Sequence, residues 1–425
     1  MAATAKVPAA RWQLRGGGEQ IHMDAACTSR RAGRGWGAKR GCKTGGAKGL
    51  PCREPASAQQ QGPPATTDLG AAADVISGGA FLTTSQVGYL LSSHIKPARP
   101  FCIPPTIMAN EHSAACEASQ LHFLYRQFAV TPPAASPLAI QLQGQTGIVT
   151  GSNVGLGLEA SRQLLGLGLS HLILAVRDEK KGAAARDDLA KGAPGANIEV
   201  WKLDMSSYDS VTGFAQRCST LSRLDFVILN AGVFKMKLEI NQSTGHDEVV
   251  QVNYLSTALL TILLLPVLAE KKEKTPKPSR IVIVSSETAA WCSFKEQDSD
   301  PILSAFNKPK FFDMQDRYYT SKLLQELLLV KLAKFVPSSV AVVNAVNPGF
   351  CYGSSLHRDA TGAIGTVFSS FKRAIGRPTS IGARTLVDAA VVQGIESHGK
   401  YLGDCQIKPL VFPSQSRSFS VFLAN

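Results

Sequence analysis

The sequence predicts an α/β fold, a single doubly wound parallel sheet with helices on both faces, and three observations predict it. From about residue 140 to 405, apolar runs of four to seven residues alternate with helical patterns, the arrangement that right-handed crossovers feeding a parallel sheet require. The unusual motifs all fall where an apolar run ends, which is where such sheets bind ligands. The first run, Thr146 to Thr150, stops at three glycines, Gly151, Gly155 and Gly157, spaced G-x-x-x-G-x-G.

That first run reads as a strand, a tight loop and a helix start. Gly151 permits the sharp turn, Gly155 lets the backbone approach a pyrophosphate, and Gly157 lets the helix pack close to the sheet. The stretch Gly151, Ser152, Asn153, Gly155, Leu156 and Gly157 is therefore the candidate phosphate cradle at a helix N-terminus; the plainer reading is an ordinary glycine-rich turn. A helix from Leu158 to about Leu167 follows, then strand two at His171 to Val176, ending in Arg177-Asp178. Helical pattern spans Glu179 to Lys191, Ala193-Pro194-Gly195 breaks it, and strand three runs from Ile198 to Leu203 and ends at Asp204. A helix near Tyr208 to Leu221 leads to strand four, Phe226 to Leu229, which ends in Asn230-Ala231-Gly232. Helix Asp247 to Leu268, strand five at Ile281 to Val284, and Ser285-Ser286 come next. The pattern closes with helix Arg317 to Phe335, strand six at Val340 to Val346, Pro348-Gly349, a helix near Ser380 to Gln393 and a short strand about Lys400 to Leu402.

The rest of the chain is different in kind. Residues 1 to 107, rich in Ala, Gly, Arg, Gln and Pro, carry 13 basic and 5 acidic residues, so eight of the thirteen excess positive charges lie there. Little period survives in that extension, which predicts disorder. A flexible tail, a mitochondrial presequence and sequence upstream of the true start at Met108 all fit it, and Gly16 to Gly18 weaken the amphipathic helix a presequence needs. Residues 108 to 139 form a leader in which Leu121 to Phe128 makes a short helix, stopped by Pro132-Pro133 and covering the sheet edge. Residues 406 to 425 read as an atypical tail with no clear helix.

Composition excludes several classes. The mild basic surplus beyond residue 107 gives no reason to expect a nucleic-acid partner. Nine scattered cysteines, with no C-x-x-C pair, suggest neither a metal site nor a disulfide framework, and so a reducing, cytoplasmic setting. The longest apolar run, Leu255 to Leu268, is too short for a membrane span.

Tyr318 and Lys322 stand four residues apart on a helix, so they share one face. A tyrosine of ordinary pKa about 10 exchanges protons poorly at neutral pH, and an ammonium nearby favours its phenolate. The pair suits a general acid in carbonyl reduction and a general base in alcohol oxidation. Ser286, ending strand five, can hydrogen-bond a substrate oxygen as charge builds there. A surface Tyr and Lys on an amphipathic helix is the competing reading.

In order, the glycine stretch, Asn230-Ala231-Gly232, Ser285-Ser286 and Tyr318-x-x-x-Lys322 resemble the signatures of the short-chain dehydrogenase/reductase family. Ala175-Val176-Arg177-Asp178 and Val346-Asn347-Pro348-Gly349-Phe350 resemble its retinol-dehydrogenase-like branch, which includes many fungal members. The resemblance implies a Rossmann-type sheet and a nicotinamide cofactor. It implies that Lys322 binds the nicotinamide ribose, that Ser286 rather than Ser285 is catalytic, and that Asn253 is the fourth catalytic position, holding a relay water. Asp204 would contact the adenine above a floor of Asn230, Ala231 and Gly232, with Pro348 and Gly349 on the nicotinamide side. Twenty residues past Gly157 lies Arg177, a guanidinium suited to a 2′-phosphate, and with Lys180 and Lys181 it favours NADPH over NADH, Asp178 dissenting.

Two departures from the family pattern stand out. Gly353 occupies the place of a threonine that touches the nicotinamide amide, with Ser354 and Ser355 as substitutes, and the C-terminus lacks the usual helix. Phe294, Phe306, Phe311 and Phe312, between Ser286 and Tyr318, either wall a substrate site or pack their loop, and the segment from Tyr352 to about Arg377 covers the site. The expected substrate is a small, apolar carbonyl or alcohol. The opposing function is a dinucleotide-binding scaffold or redox sensor without turnover. Leucines surround more of helix Arg317 to Phe335 than one sheet contact covers, and the resemblance implies that this helix pairs with helix Asp247 to Leu268 across a two-fold axis in a homodimer; a monomer in which the N-terminal segment, the lid or the C-terminus lies over these helices is the competing reading.

Overall fold

Along each central strand of the computed structural model, alternate side chains enter two different cores, which is what a sheet covered on both faces demands. The structure describes residues 114–275, 277–354, 356 and 362–412. The N-terminal extension with its presequence and Met108-start readings, Ser355 and most of the 406–425 tail lie outside them. Two short helices, α1 (Ala114–Glu117) and α2 (Gln120–Ala129), precede β1 (Thr146–Thr150), α3 (Gly155–Gly166), β2 (His171–Val176), α4 (Glu179–Gly192) and β3 (Asn197–Lys202). Then come α5 (Tyr208–Ser219), β4 (Phe226–Leu229), α6 (Ser256–Lys271), β5 (Ser279–Val284), α7 (Ile302–Ala305), α8 (Met314–Phe335) and β6 (Ala341–Asn347). The last elements are β7 (Cys351–Tyr352), α9 (Gly362–Ile375), β8 (Arg377–Pro378), α10 (Thr379–Val387), β9 (Tyr401–Gly403) and β10 (Gln406–Lys408).

Eight strands form one sheet in the order β3-β2-β1-β4-β5-β6-β9-β10, parallel throughout except for the antiparallel last pair. The chain therefore reverses direction across the sheet between β1 and β4, and the crevice at that switch point is where a ligand fits. Ile148, Ile173, Val227, Ile281 and Val343 point to the face covered by α5, α6 and α8. Val149, Leu172, Ile228, Val282 and Val346 point to the face covered by α3, α4 and α10. Each such side chain contributes about 1.5–3 kcal/mol when fully buried.

β1 and β4 lie close because Gly147 faces Phe226 across the pair, and a Cβ at Gly147 would fall inside the phenyl ring. Helix α6 is entered through a turn at Glu248–Val250 and a π-helical segment, Gln251–Leu255. The combined helix is long and apolar enough to span a membrane by length, but Leu260, Leu264, Val267 and Leu268 are built into the core.

Three features differ from the sequence expectation. Residues Gln406–Lys408, expected to open a loose tail, add the edge strand β10. Leu323, Leu324 and Leu327 of α8 are packed against Phe294 and Phe306, so the loop after β5 covers part of the leucine surplus that suggested a dimer. Helix α2 reaches the β9-β10 edge of the sheet, as expected, and also the turn that follows Ser286, but its facing is inverted: His122, Arg126 and Gln127 are buried while Leu121, Leu124 and Phe128 face outward.

Candidate active site

The glycine turn is held from below by the end of β4. Asn230 Nδ2 donates to Thr150 O at 2.9 Å and Gly151 O at 3.3 Å, and the Ala231 amide donates to Thr150 Oγ1 at 2.9 Å. Gly151 and Gly155 take φ of +63° and +64°, which a side chain would strain. At Gly157 a Cβ would stand 2.6 Å from Asn230 Nδ2 and 2.7 Å from Gly151 O, so the close approach expected of it is enforced by atoms on both sides. The backbone of Ser354 meets Gly155 from the opposite loop. At Gly232 a Cβ would approach Asn253 Oδ1, so the floor and the catalytic region share a boundary.

Beyond β2, Arg177 is exposed and, among the described residues, makes no ion pair. Asp178, its acidic neighbour, is committed elsewhere: it caps α4 by accepting the Lys181 amide at 3.1 Å, and that N–H holds its carboxyl below the ordinary range. The Asp204 carboxylate accepts from the Ser206 amide and the Asp204 N–H donates to Ser210 Oγ, which fixes the turn after β3.

The second half of the site is made by α8, α6 and the ends of β5 and β6. Tyr318 leans on Phe234, with ring centroids 5.8 Å apart, and Lys322 Nζ lies 5.6 Å from the centre of the Tyr318 ring. Lys322 donates to Val284 O at 2.8 Å, the carbonyl two residues before Ser286, and to Gln325 Oε1 at 3.2 Å. Gln325 Nε2 in turn donates to Asn253 O at 2.5 Å. Asn253 exchanges hydrogen bonds with the backbone of Val233 and donates to Ser321 Oγ, which donates to Tyr318 O. Tyr318, Lys322 and Asn253 are thus tied into one network, and the π-helical segment is what turns Asn253 inward.

The two serines separate cleanly. Ser285 is buried and donates to Glu326 Oε1 at 3.0 Å, whereas Ser286 is half-buried, and its hydroxyl accepts from the Thr288 amide and hydroxyl. Tyr319, the neighbour of Tyr318, packs edge-on to Trp291, and Trp291 edge-on to Phe123 of α2. Phe294 and Phe306 stack on one another in a buried cluster, so these two pack their loop. Arg317 anchors that loop through ion pairs to Asp247 and Glu296, both at 2.9 Å.

The electrostatics of this half are those of a dry site. Burial pulls the Lys322 ammonium down to about 7, with Glu326 opposing, and pushes the Glu326 carboxyl up to about 8, with the Ser285 hydrogen bond and Lys322 opposing. Burial also raises the Tyr318 phenol above its ordinary value, and the neighbouring Tyr319 and Cys351 add to the rise. The sequence expects the ammonium together with a positively charged nicotinamide to favour the phenolate; for the protein groups alone burial outweighs the ammonium, two of whose donors go to Val284 and Gln325.

A family model described as short chain dehydrogenase matches residues 145–295. The short-chain dehydrogenase fogG of Aspergillus ruber is 47% identical over 302 residues, 69% of this chain and 86% of the relative. The short chain dehydrogenase/reductase mfmJ of Annulohypoxylon moriforme is 45% identical over 304 residues, covering 70% and 87%. This chain belongs to the short-chain dehydrogenase/reductase family. The crystal structure of a short-chain type dehydrogenase/reductase from Mycobacterium marinum shares the fold, with a TM-score of 0.50 at 16% identity over 63% of this chain and 97% of that one.

As a short-chain dehydrogenase/reductase the protein is an oxidoreductase, and the family's cofactor is a nicotinamide dinucleotide, NAD(P), which supplies or takes the hydride when bound. The cradle fits such a group on its own evidence: the glycine turn has no space for side chains, and Ser152 Oγ is buried there without a hydrogen-bond partner among the described residues. Gly353, where the family pattern expects threonine, has the Thr379 hydroxyl against its α-carbon, 3.4 Å from where a Cβ would sit. Sequence reasoning passed over Arg126, Gln127, Gln325 and Glu326. The signal for the last two was present, since polar residues at 325 and 326 interrupt an otherwise leucine-rich helix face.

Proposed function

We propose that this protein is an NADPH-dependent enzyme interconverting a carbonyl and an alcohol on a small, apolar organic substrate, in the retinol-dehydrogenase-like branch of the family. The observation that carries the proposal is the network joining Tyr318, Lys322 and Asn253 beside the half-buried Ser286. Tyr318 would give its proton to the substrate oxygen in reduction and take one in oxidation, Ser286 would donate to the same oxygen, and Lys322 would orient the cofactor ribose. Arg177 supports NADPH: it is exposed and makes no ion pair among the described residues, while Asp178 is held as a helix cap. Gly151 to Gly157, Asp204, Asn230 to Gly232, Pro348 and Gly349 would line the cofactor, and the Tyr318, Tyr319, Trp291 and Phe123 rings favour an apolar or aromatic substrate.

Full-length protein assayed with NADPH against a panel of aldehydes, ketones and quinones tests this reading. Substrate-dependent NADPH oxidation supports it; tight NADPH binding with no turnover on any member would favour the scaffold or sensor instead. Cytoplasmic residence and a homodimer complete the proposal, the latter supported by the exposed Ile262 of α6 and Phe335 of α8. Sedimentation at micromolar concentration checks the dimer, and an active monomer would remove it as a requirement.

A further inference from the structure

We propose that the leader helix α2 is part of the active site, with Arg126 and Gln127 as positioning residues that hold the turn after Ser286 and the loop after β6 in register with each other. This rests on the oxidoreductase reading above. Arg126 is 4% exposed and ends among three carboxylates. It reaches Asp404 Oδ2 at 2.6 Å, Glu117 Oε2 at 2.7 Å and Glu287 Oε2 at 3.5 Å. Glu287 directly follows Ser286. The other oxygen of Asp404 accepts Arg377 Nη1 at 2.8 Å, Arg377 Nη2 returns to Arg126 O at 3.1 Å, and Lys408 closes the set on Glu117 at 3.1 Å. Arg126, Arg377 and Lys408 thus face Glu117, Glu287 and Asp404, with His122 Nε2 also 3.7 Å from Glu117, in a place where an unmatched charge would be costly. Burial pushes the Glu287 carboxyl up to about 7, with Arg126 opposing that rise.

Gln127 grips the second loop. Its Nε2 donates to Phe350 O at 2.7 Å, and its Oε1 accepts the Phe350 amide at 3.2 Å, so one side chain pairs with both backbone groups of the residue after Gly349. Gly349, at φ +74°, has no room for a Cβ, which would fall 3.0 Å from the Arg377 guanidinium and 3.2 Å from Gln127 Oε1. From the other end of the leader, Ala118 O accepts Trp291 Nε1 at 2.8 Å, fixing the far end of the Ser286 turn. Hydrogen bonds of this kind set direction as well as distance, which apolar packing alone does not. One helix therefore governs two loops that leave different strands, one carrying the candidate catalytic serine and the other the candidate nicotinamide side.

The test compares full-length Arg126→Met, Arg126→Lys and Gln127→Ala with the parent for kcat, KM, NADPH affinity and backbone hydrogen exchange. Arg126→Met should lower kcat about ten- to a hundredfold while NADPH affinity stays within about threefold, because sub-ångström misplacement acts on the reacting geometry. Arg126→Lys should restore thermal stability more than kcat, since an ammonium cannot span the three carboxylates. Gln127→Ala introduces no unmatched charge; it should fold, lose less kcat, and speed exchange at residues 347–352 while leaving β1 and α3 unchanged. Parental kcat per NADPH-binding site in both Arg126→Met and Gln127→Ala, or exchange that rises evenly through the domain, would overturn the proposal. If the parent turns over nothing in the carbonyl panel, the functional reading fails, and the exchange measurement still decides whether α2 sets the two loops.

Discussion

The cofactor half and the catalytic half of this site are built by different means. Between β1 and β4 the work is done by main chain and by missing side chains: Asn230 clasps two carbonyls of the glycine turn, and Gly157 leaves no space to spare. Between β5 and β6 it is done by long polar side chains that meet far from their origins, as when Lys322 reaches Val284 and Arg126 reaches Asp404 across 278 positions of sequence. A backbone cradle tolerates many side-chain changes but no added carbon at its contacts. A side-chain network keeps its fold through such changes and loses its chemistry one residue at a time.

The sharpest division should come from Tyr318→Phe, which removes one oxygen from the catalytic half. Turnover should fall by about 10²–10⁴-fold while NADPH affinity, measured by fluorescence titration, stays near the parent's; a variant as fast as the parent would place the acid elsewhere. Gly157→Ala should do the reverse in kind. Its methyl would meet Asn230 Nδ2 and Gly151 O, so overpacking of about 1–3 kcal/mol should appear as a lower Tm together with weakened NADPH binding. Gly166→Ala, at the end of α3 with nothing within 4 Å of the new carbon, is its control and should be neutral or better.

A smaller effect is expected from Arg177→Asp, which should shift the NADPH-to-NADH ratio of kcat/KM by about tenfold or more, the equivalent of 1.4 kcal/mol. An unchanged ratio would mean that another base reads the 2′-phosphate. The smallest effect tests the dryness of the catalytic half. Glu326 has a folded-state pKa raised from 4.5 to about 8, so its contribution is fully present below 4.5 and is lost as pH rises through about 8. Glu326→Gln should flatten the decline of Tm across that window, and an unaltered pH profile would show that the carboxyl titrates as if solvated. Lys322 works in the opposite sense above about 7, where the folded state sheds a proton that the unfolded chain keeps up to about 10.5.

What the sequence made legible follows the same division. Strands β2 and β4 appear at the expected residues because a short continuous apolar run, buried on both faces, is a local pattern. The glycine turn and the Tyr318-Lys322 face were readable because their geometry is set by spacing within a few residues. The fit of Phe226 over Gly147 was not, since nothing in either run announces the other as its partner. Gln325 stands out as a polar interruption of its helix, but its partner Asn253, 72 positions away, was hidden for the same reason. Helix α2 was legible as a helix but not as to its facing: burial of its polar side depends on carboxylates contributed by Glu287 and Asp404, and the pattern of one helix cannot report that.

That inverted helix also fixes an order of events during folding. As the chain emerges from the ribosome, α2 is made before any strand of the sheet, yet its arginine has no complete set of partners until Asp404 has been synthesised. Contacts spanning so much sequence carry the largest loop-closure cost and form late. In the interval the arginine has Glu117 close by in sequence, and later Glu287, but not Asp404, while the apolar face of the helix is already bare. The turn after Ser286 and the turn at Asp404 therefore cannot be joined through Arg126 until β9 has been made, however early α2 forms.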